Sequence, residues 1–361
     1  MKRKLRVAIL FGGRSAEHEI SLLSAKNIVE AMDKKKYEAI LVGISKKGEW
    51  SLIKPLPKRW PKSIPSNKTS NGVVLAPGSK MTALVQLSGR KSAVPVDVIF
   101  PVLHGPFGED GTVQGLFKLA NVPFVGASVL GSAVGMDKDV MKRLLRDAGI
   151  RTARFVALER SALLESAFED LQHRLGLPFF IKPANLGSSV GINKVNDKEQ
   201  FERAVREAFR YDSKILVEEY IQGREIECSV LGNEHPIASV PGEIITRHEF
   251  YSYEAKYQDE KGASLEVPAK LPAEVTKEVQ DISIKTFKAL CCEGMARVDF
   301  FLRDHREVIV NEINTIPGFT KISMYPKLWE TSGISYTELI DRLIQLALAR
   351  FEREQKLKTS R

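Results

Sequence analysis

The sequence predicts an α/β protein of more than one domain. Three observations carry that reading. Strand-like and helix-like segments alternate through residues 1–127, the order that gives a parallel sheet with helical crossovers. The first run, Val7-Ala8-Ile9-Leu10-Phe11, passes straight into Gly12-Gly13 and then into apolar residues at helical spacing. The chain has 361 residues, enough for two or three domains, and its pattern changes at Asp137.

The elements follow in order. A strand is expected at 5–11, a helix at 16–32 (Ile20, Leu22, Leu23 and Ile28 recur near helical spacing) and a strand at 37–44. Ser45 to Pro95 is rich in Pro, Lys, Ser and Gly, and extra strands and loops are expected there. A buried strand at 96–102, a helix near 111–121 and a short strand at 122–125 complete this part. Beyond it, a helix at 137–148 ends at Gly149. A strand at 179–183 leads through "ANLGSSVG" to another at 192–195, then come a helix at 197–210 and a strand at 214–218. The last third holds strands near 225–231 and 236–245, a long polar stretch at 246–264 and an amphipathic helix at 273–290 behind Pro272. A hairpin over 296–314 and a terminal helix at 336–352 close the chain, and no internal repeat is evident.

Composition excludes several classes. Apolar content of 43% and charged content of 27% are ordinary for a globular enzyme. No apolar run approaches the ~18 residues of a membrane span. The basic start, Met1-Lys2-Arg3-Lys4, leads into no signal-peptide core, so a cytoplasmic protein without a membrane partner is expected. The net charge is +9, but apart from 46–68 and the tail 350–361 the cations are dispersed, which argues against a nucleic-acid partner. Three cysteines give no disulfide framework; Cys291 and Cys292 end an apolar helix and Cys228 alternates with apolar neighbours.

Five stretches carry candidate chemistry. The Gly12-Gly13 turn resembles a phosphate turn but continues Arg14-Ser15-Ala16-Glu17, so the later glycines of G-x-G-x-x-G are missing. Glu17 also sits at the helix start, where its charge would repel a phosphate. "KPANLGSSVG", 182–191, lacks G-K-[ST] and lies between two strands, which excludes a P-loop. Such a loop can still cradle phosphates with backbone N–H groups and the Ser188 and Ser189 hydroxyls, with Lys182 just upstream, although an ordinary Gly-Ser turn fits equally well. "ARVDFFL" and "VIVNEIN" flank the turn Arg303–Glu307. Paired about His305-Arg306, they set Asp299 opposite Glu312 and Arg297 opposite Asn314, all on one face. Asp, Glu and Asn oxygens suit magnesium shared with phosphates, and Arg297 suits transition-state charge; a solvated ion-paired face is the alternative. In "ILVEEYIQGREIE", the backbone from Glu219 to Ile221 can meet a purine edge and Glu225 ribose hydroxyls, or the stretch simply connects domains. In "VLHGPFGEDGTVQG", His104 and Gly105, Gly108 and Gly111 stand at a strand's carboxyl end, where open parallel sheets bind ligands; a structural histidine fits as well.

Taken together, "GGRSAEHEIS", "LHGPFGEDGTVQG", "MDKDVMK", "KPANLGSSVG", "VEEYIQG", "FYSYEAKY", "RVDFF", "NEIN" and "TIPGFT" resemble, in this order, the D-alanine–D-alanine ligase family of the ATP-grasp superfamily. The resemblance spans nearly the whole chain but carries no motif in 45–95. It implies an N-terminal parallel α/β substrate domain at 1–127 and two α+β subdomains clasping ATP, a central one at 128–219 and a C-terminal one at 220–361 with the metal site and a lid loop at 246–264. The implied reaction has two steps. ATP phosphorylates the first D-alanine, and the amine of a second attacks the acyl phosphate to give D-alanyl-D-alanine for peptidoglycan. Glu17 would then bind the first D-alanine's ammonium, which resolves the misplaced carboxylate of the glycine turn, and His104 would lie on the substrate side. Lys138, Lys182 and the loop Gly187, Ser188, Ser189, Val190 and Gly191 would hold ATP phosphates, with Glu218, Glu219, Tyr220, Ile221 and Glu225 on adenosine and Lys256 also binding the cofactor. Asp299, Glu312 and Asn314 would bind two magnesium ions, or manganese in their place, with a monovalent cation as an added option. Arg297 and the Gly318 N–H would form an oxyanion hole, Ser323 and Met324 would meet the second D-alanine's carboxylate, and Glu17, Ser188 and Tyr257 would link the first helix to the lid. Ser252 departs from the family, which often has an acidic residue there. A homodimer is implied. A D-alanine–D-lactate ligase, another ATP-grasp ligase or kinase and a non-catalytic nucleotide-binding module remain alternatives.

Overall fold

Alternation along the first strand decides the first core. In β1 (Leu5–Gly12), Val7, Ile9 and Phe11 point to one side and Ala8 and Leu10 to the other, and all five are fully buried. Helix α1 (His18–Ala31) covers the first side through Leu22, Ala25 and Ile28. β2 (Tyr37–Ile44) returns parallel to β1, and β3 (Trp50–Ile53) adds an antiparallel edge. The segment expected to hold extra strands also contains β4 (Val73–Leu75), β5 (Ala83–Gln86) and β6 (Ala93–Pro95), a small antiparallel sheet. β7 (Val98–Val102) pairs parallel with β1, giving the order β3-β2-β1-β7, and α2 (Thr112–Leu119) covers the second face with Phe117. The strand expected at 122–125 does not form. Pro123 has no N–H to give a ladder, and the segment makes one parallel bridge, Ile99 to Phe124. This protein, seen in a computed structural model, is described over residues 3–54, 59–66, 72–77, 83–87, 93–160, 167–187, 190–246 and 263–358.

The middle of the chain is antiparallel. After α3 (Val129–Met136), Asp137 caps α4 (Lys138–Asp147) by accepting the N–H groups of Asp139 and Val140 at 3.1 Å each. β8 (Phe155–Glu159), α5 (Ala167–Leu175), β9 (Phe179–Pro183), β10 (Asn193–Val195), α6 (Lys198–Ala208) and β11 (Lys214–Glu219) follow. The strands order as β10-β9-β11-β8, and the two helices bury Phe168, Leu171, Phe201 and Val205 against Phe179, Ile181, Ile215 and Val217.

The last third is a larger antiparallel sheet. β12 (Arg224–Gly232) lies between β14 (Gly242–Thr246) and β16 (Gly294–Arg303), while β13 (Ile237–Ala238), β15 (Ala263–Glu266) and β17 (Glu307–Asn314) extend it. The single strand expected at 236–245 is two pieces, separated by Ser239 to Pro241. α7 (Ala273–Ala289) packs Val275, Val279 and Phe287 beneath this sheet. Short α8 (Met324–Thr331) precedes α9 (Tyr336–Gln355), which returns to the first sheet: Leu339, Leu343 and Ile344 share the core of Val7, Ile9 and Phe11.

Candidate active site

The β16–β17 hairpin is the floor of the site. Its turn is centred on His305, with Arg303 opposite Glu307, a pairing one residue off the register expected about His305-Arg306. A bulge between Asp299 and Phe300 leaves Asn311 without an opposite residue and shifts the register. Beyond it Asp299 faces Glu312 and Arg297 faces Asn314, so these four positions do share one face. Arg297 closes a two-pronged contact on Asp299, Nε to Oδ1 and Nη2 to Oδ2, both 2.7 Å. Asn314 Nδ2 donates to Asp299 Oδ2 at 2.9 Å. Glu227, on neighbouring β12, brings Oε2 to 2.9 Å from Arg297 Nε. Burial opposes the guanidinium's charge, but Asp299 and Glu227 together raise the Arg297 pKa well above its ordinary value.

A row of lysines faces this floor. Lys138 and Lys142 stand one turn apart on α4, hence on one face. Lys138 Nζ donates to the Leu186 carbonyl at 2.8 Å and lies 3.6 Å from Glu312 Oε2. Lys182, on β9, donates to Glu218 Oε1 at 2.9 Å, and Lys142 Nζ lies 3.0 Å from the other oxygen, Oε2. Burial alone would raise the Glu218 pKa; Lys142 and Lys182 hold it below the usual carboxylate range. Burial conversely lowers the Lys142 pKa despite Glu218. The loop leaving β9 is anchored at its start: the Ala184 carbonyl accepts the Lys138 N–H at 3.0 Å, and Asp212 Oδ2 takes the Asn185 N–H at 2.7 Å. Gly187 and Val190 flank Ser188 and Ser189, which lie outside the described residues, as do Lys256, Tyr257 and Ser252. β14 and β15 pair at the two ends of the stretch expected to be a lid, with Thr246 opposite Ala263.

The strand end after Glu218 lies beside these lysines. Glu219 is committed to Arg154, accepting its backbone N–H at 2.7 Å and its Nε at 2.6 Å. The Glu219 N–H already donates to the Arg154 carbonyl at 3.0 Å, so the expected purine contact cannot use that group without breaking a backbone bond. Tyr220 and Ile221 follow just past β11, and the Tyr220 ring lies 5.9 Å from Phe180 and 5.0 Å beneath Lys194 Nζ. Glu225 sits on β12 between Ile244 and Phe301.

The opposite wall comes from the first sheet. Glu17 is the N-cap residue of α1, yet its side chain makes no capping bond. Its Oε2 lies between two glycine loops: a Cβ built at Gly105 or Gly187 would stand 3.8 or 4.0 Å from it. His104 donates Nδ1–H to the Ile316 carbonyl at 3.0 Å, because that oxygen can only accept; its buried Nε2 has no hydrogen-bond partner among the described residues. Glu109 accepts the Gly105 N–H at 2.6 Å and the Ile316 N–H at 3.3 Å. Burial and the charge of Glu17 push its pKa up to about 8. A cavity of about 300 Å³ opens at the carboxyl ends of β1, β2 and β7, lined by Gly13, Ser15 and His104 among others. Past the hairpin, Gly318 packs so close to Ser323 that a Cβ would meet its Oγ at 2.7 Å. Ser323 is the N-cap residue of α8, and Met324 opens that helix with its side chain buried against Ile244 and Leu328. Met324 can therefore offer a ligand only its backbone N–H.

Two family models cover this architecture. Residues 6–127 match the D-ala D-ala ligase N-terminus and residues 144–345 the D-ala D-ala ligase C-terminus. The chain belongs to the D-alanine–D-alanine ligase family. Its sequence is 57% identical over 363 aligned residues to a D-alanine–D-alanine ligase of Oceanobacillus iheyensis, covering 99% of each chain. Its fold is similar to that of the D-alanine–D-alanine ligase from Coxiella burnetii, with a TM-score of 0.85 and 41% identity over 98% of this chain and 96% of that one. A D-alanine–D-alanine ligase from Bacillus anthracis solved with ATP is also similar, with a TM-score of 0.74 and 28% identity over 98% and 100% of the two chains.

Sequence reasoning passed over three residues that the structure places beside these side chains. Lys142 stands four positions after Lys138, a spacing that usually marks a solvated pair on a helix. Glu227 shares the two-residue period of Glu225. Glu109 follows His104 by five positions, and nothing local shows that it reaches Ile316.

Proposed function

We propose that this chain joins two D-alanine molecules into D-alanyl-D-alanine, with ATP converted to ADP and phosphate through an acyl phosphate, for peptidoglycan precursor synthesis. The observation that carries the reading is the facing arrangement of the hairpin and the lysine row. Three buried lysines, Lys138, Lys142 and Lys182, face two carboxylates, Glu218 and Glu312. A row of ammonium groups placed this way suits a polyphosphate.

In this reading Lys138, Lys182 and the loop 187–191 hold the phosphates, and Glu218 to Ile221 with Glu225 hold adenosine. Asp299, Glu312 and Asn314 offer two carboxylates and one amide oxygen. Among the described residues no cluster of three or more Asp, Glu, His or Cys is placed for a metal, so the set fits magnesium completed by phosphate oxygens rather than enclosed by protein. Bound there, magnesium would neutralise phosphate charge. Arg297, with its firmly held positive charge, stabilises the developing oxyanion together with the Gly318 N–H. Glu17 holds the first ammonium, with His104 on the same side. The Ser323 and Met324 end of α8 receives the second carboxylate. Tyr257, Ser188 and Lys256 are assigned by resemblance. A homodimer working in the cytoplasm without nucleic-acid or membrane partners completes the proposal; no described helix is long and apolar enough to cross a membrane.

The test is ADP release with ATP, magnesium and each candidate substrate in turn: D-alanine, L-alanine, and D-alanine with D-lactate. D-Alanine alone should support turnover, with a dipeptide as product. Ester formation in preference to peptide at pH 7 would redirect the assignment to a D-alanine–D-lactate ligase.

A further inference from the structure

Lys142 is the one lysine of the row that the family reading leaves without work. It is fully buried, and its ammonium lies 3.0 Å from Glu218 Oε2, while Lys182 holds Oε1 at 2.9 Å. One carboxylate thus carries two cations, one on each oxygen. Removing charges from water this completely is costly unless each stays paired, so the arrangement calls for a reason. Lys142 is fixed by α4, whose start is tied to the β9 loop through the Lys138 N–H. Its Nζ also lies over the Phe155 ring at 5.8 Å, which leaves it enclosed. Lys182, by contrast, is not fully enclosed: it keeps 7% exposure where Lys142 has none.

We propose that Lys142 is a positioning residue of the nucleotide site: it keeps Glu218 ionised and aimed when Lys182 turns from that carboxylate to a phosphate. The proposal rests on the ATP-binding reading given above. Without Lys142, Lys182 would be the only counter-ion of this buried carboxylate among the described residues. Moving it to a phosphate would strand Glu218 unpaired, and the cost would appear as weaker nucleotide binding. With Lys142 in place the exchange leaves every buried charge with a partner. Lys142 itself touches neither substrate nor phosphate in this scheme, so its effect passes through Glu218.

The experiment measures dissociation constants for ADP and a non-hydrolysable ATP analogue by calorimetry, with KM values for ATP and D-alanine. The proteins are the wild type, Lys142→Met, Glu218→Gln and the double variant, each checked by thermal melting. Lys142→Met should weaken both nucleotides on the order of tenfold or more, as expected when a buried charge loses its partner. The KM for D-alanine should move by no more than about twofold. The double variant should bind nucleotide no worse than Glu218→Gln alone, since the two residues act as a unit. Nucleotide binding by Lys142→Met at wild-type strength overturns the proposal, and so do losses that simply multiply in the double variant. Lys142→Gln keeps a donor toward Glu218 without the charge and carries the same comparison if the methionine variant does not fold. A wild type that binds the analogue but makes no dipeptide removes the substrate reading and leaves this test standing. A wild type that binds no nucleotide overturns both.

Discussion

Arg297 and Asp299 stand two positions apart on β16 and lock together through two parallel contacts of 2.7 Å. An aspartate so held has both oxygens facing a guanidinium, so offering one to a metal requires Arg297 to share it. Arginine is suited to that sharing because its planar fork has donors to spare, whereas lysine is a single point charge. Arg297→Lys should therefore keep the fold, lose the bidentate geometry and reduce kcat roughly 10²-fold. A kcat within about threefold of wild type at saturating substrates would remove Arg297 from transition-state stabilisation.

Glu312 faces Asp299 across the hairpin and lies 3.6 Å from Lys138. Glu312→Gln keeps the shape and removes the charge. Turnover should fall on the order of 10²-fold or more, with far-ultraviolet circular dichroism unchanged. Near-normal ADP release at saturating magnesium would show that this carboxylate is not needed to hold metal.

Glu17 occupies an N-cap position without capping its helix, and its carboxylate is aimed between the Gly105 and Gly187 loops. Glu17→Gln should raise the apparent KM for D-alanine at the first site by at least about tenfold while moving that for ATP far less. An equal rise in both would mean that Glu17 serves closure between the first sheet and the phosphate loop rather than ammonium binding.

The site's floor was legible because strand alternation is local: two runs about a short turn put Asp299, Glu312, Arg297 and Asn314 on one face without any tertiary knowledge. The bulge was not legible. With the turn centred on His305, an unbroken ladder would set Asp299 against Asn311, and only the unpaired Asn311 restores the facing carboxylates. α3 escaped because Gly131 and Gly135 lower helix propensity, and close packing explains them: a Cβ at Gly131 would meet the Cys291 carbonyl oxygen at 2.6 Å. The packing of α9 on the first sheet escaped for a different reason. Its apolar stripe announces a buried face but not which of the sheets it covers. Lys142 and Glu109 carry the same lesson, since each acquires its meaning from a strand or loop remote in sequence.

Glu109 gives a prediction about stability rather than rate. Burial and the neighbouring Glu17 charge raise its pKa from 4.5 to about 8, with Glu312 adding to the same effect. A carboxyl that binds its proton more tightly in the folded state stabilises the fold fully below its unfolded pKa. That contribution is lost as pH rises toward the folded value, because the unfolded chain ionises first. Without nucleotide or metal, wild-type stability should therefore decline relative to Glu109→Gln between about pH 4.5 and 8, then level off. Asp97 is the contrasting case. Burial would raise its pKa, but the Arg6 side chain and backbone N–H hold it down to about 2, so its contribution is constant over that window and fades only in acid. Chemical-denaturation midpoints of both proteins from pH 5 to 9 decide the matter. Parallel curves would mean that Glu109 is ionised throughout and that its two backbone N–H bonds, rather than a bound proton, settle the loop linking His104 to Ile316.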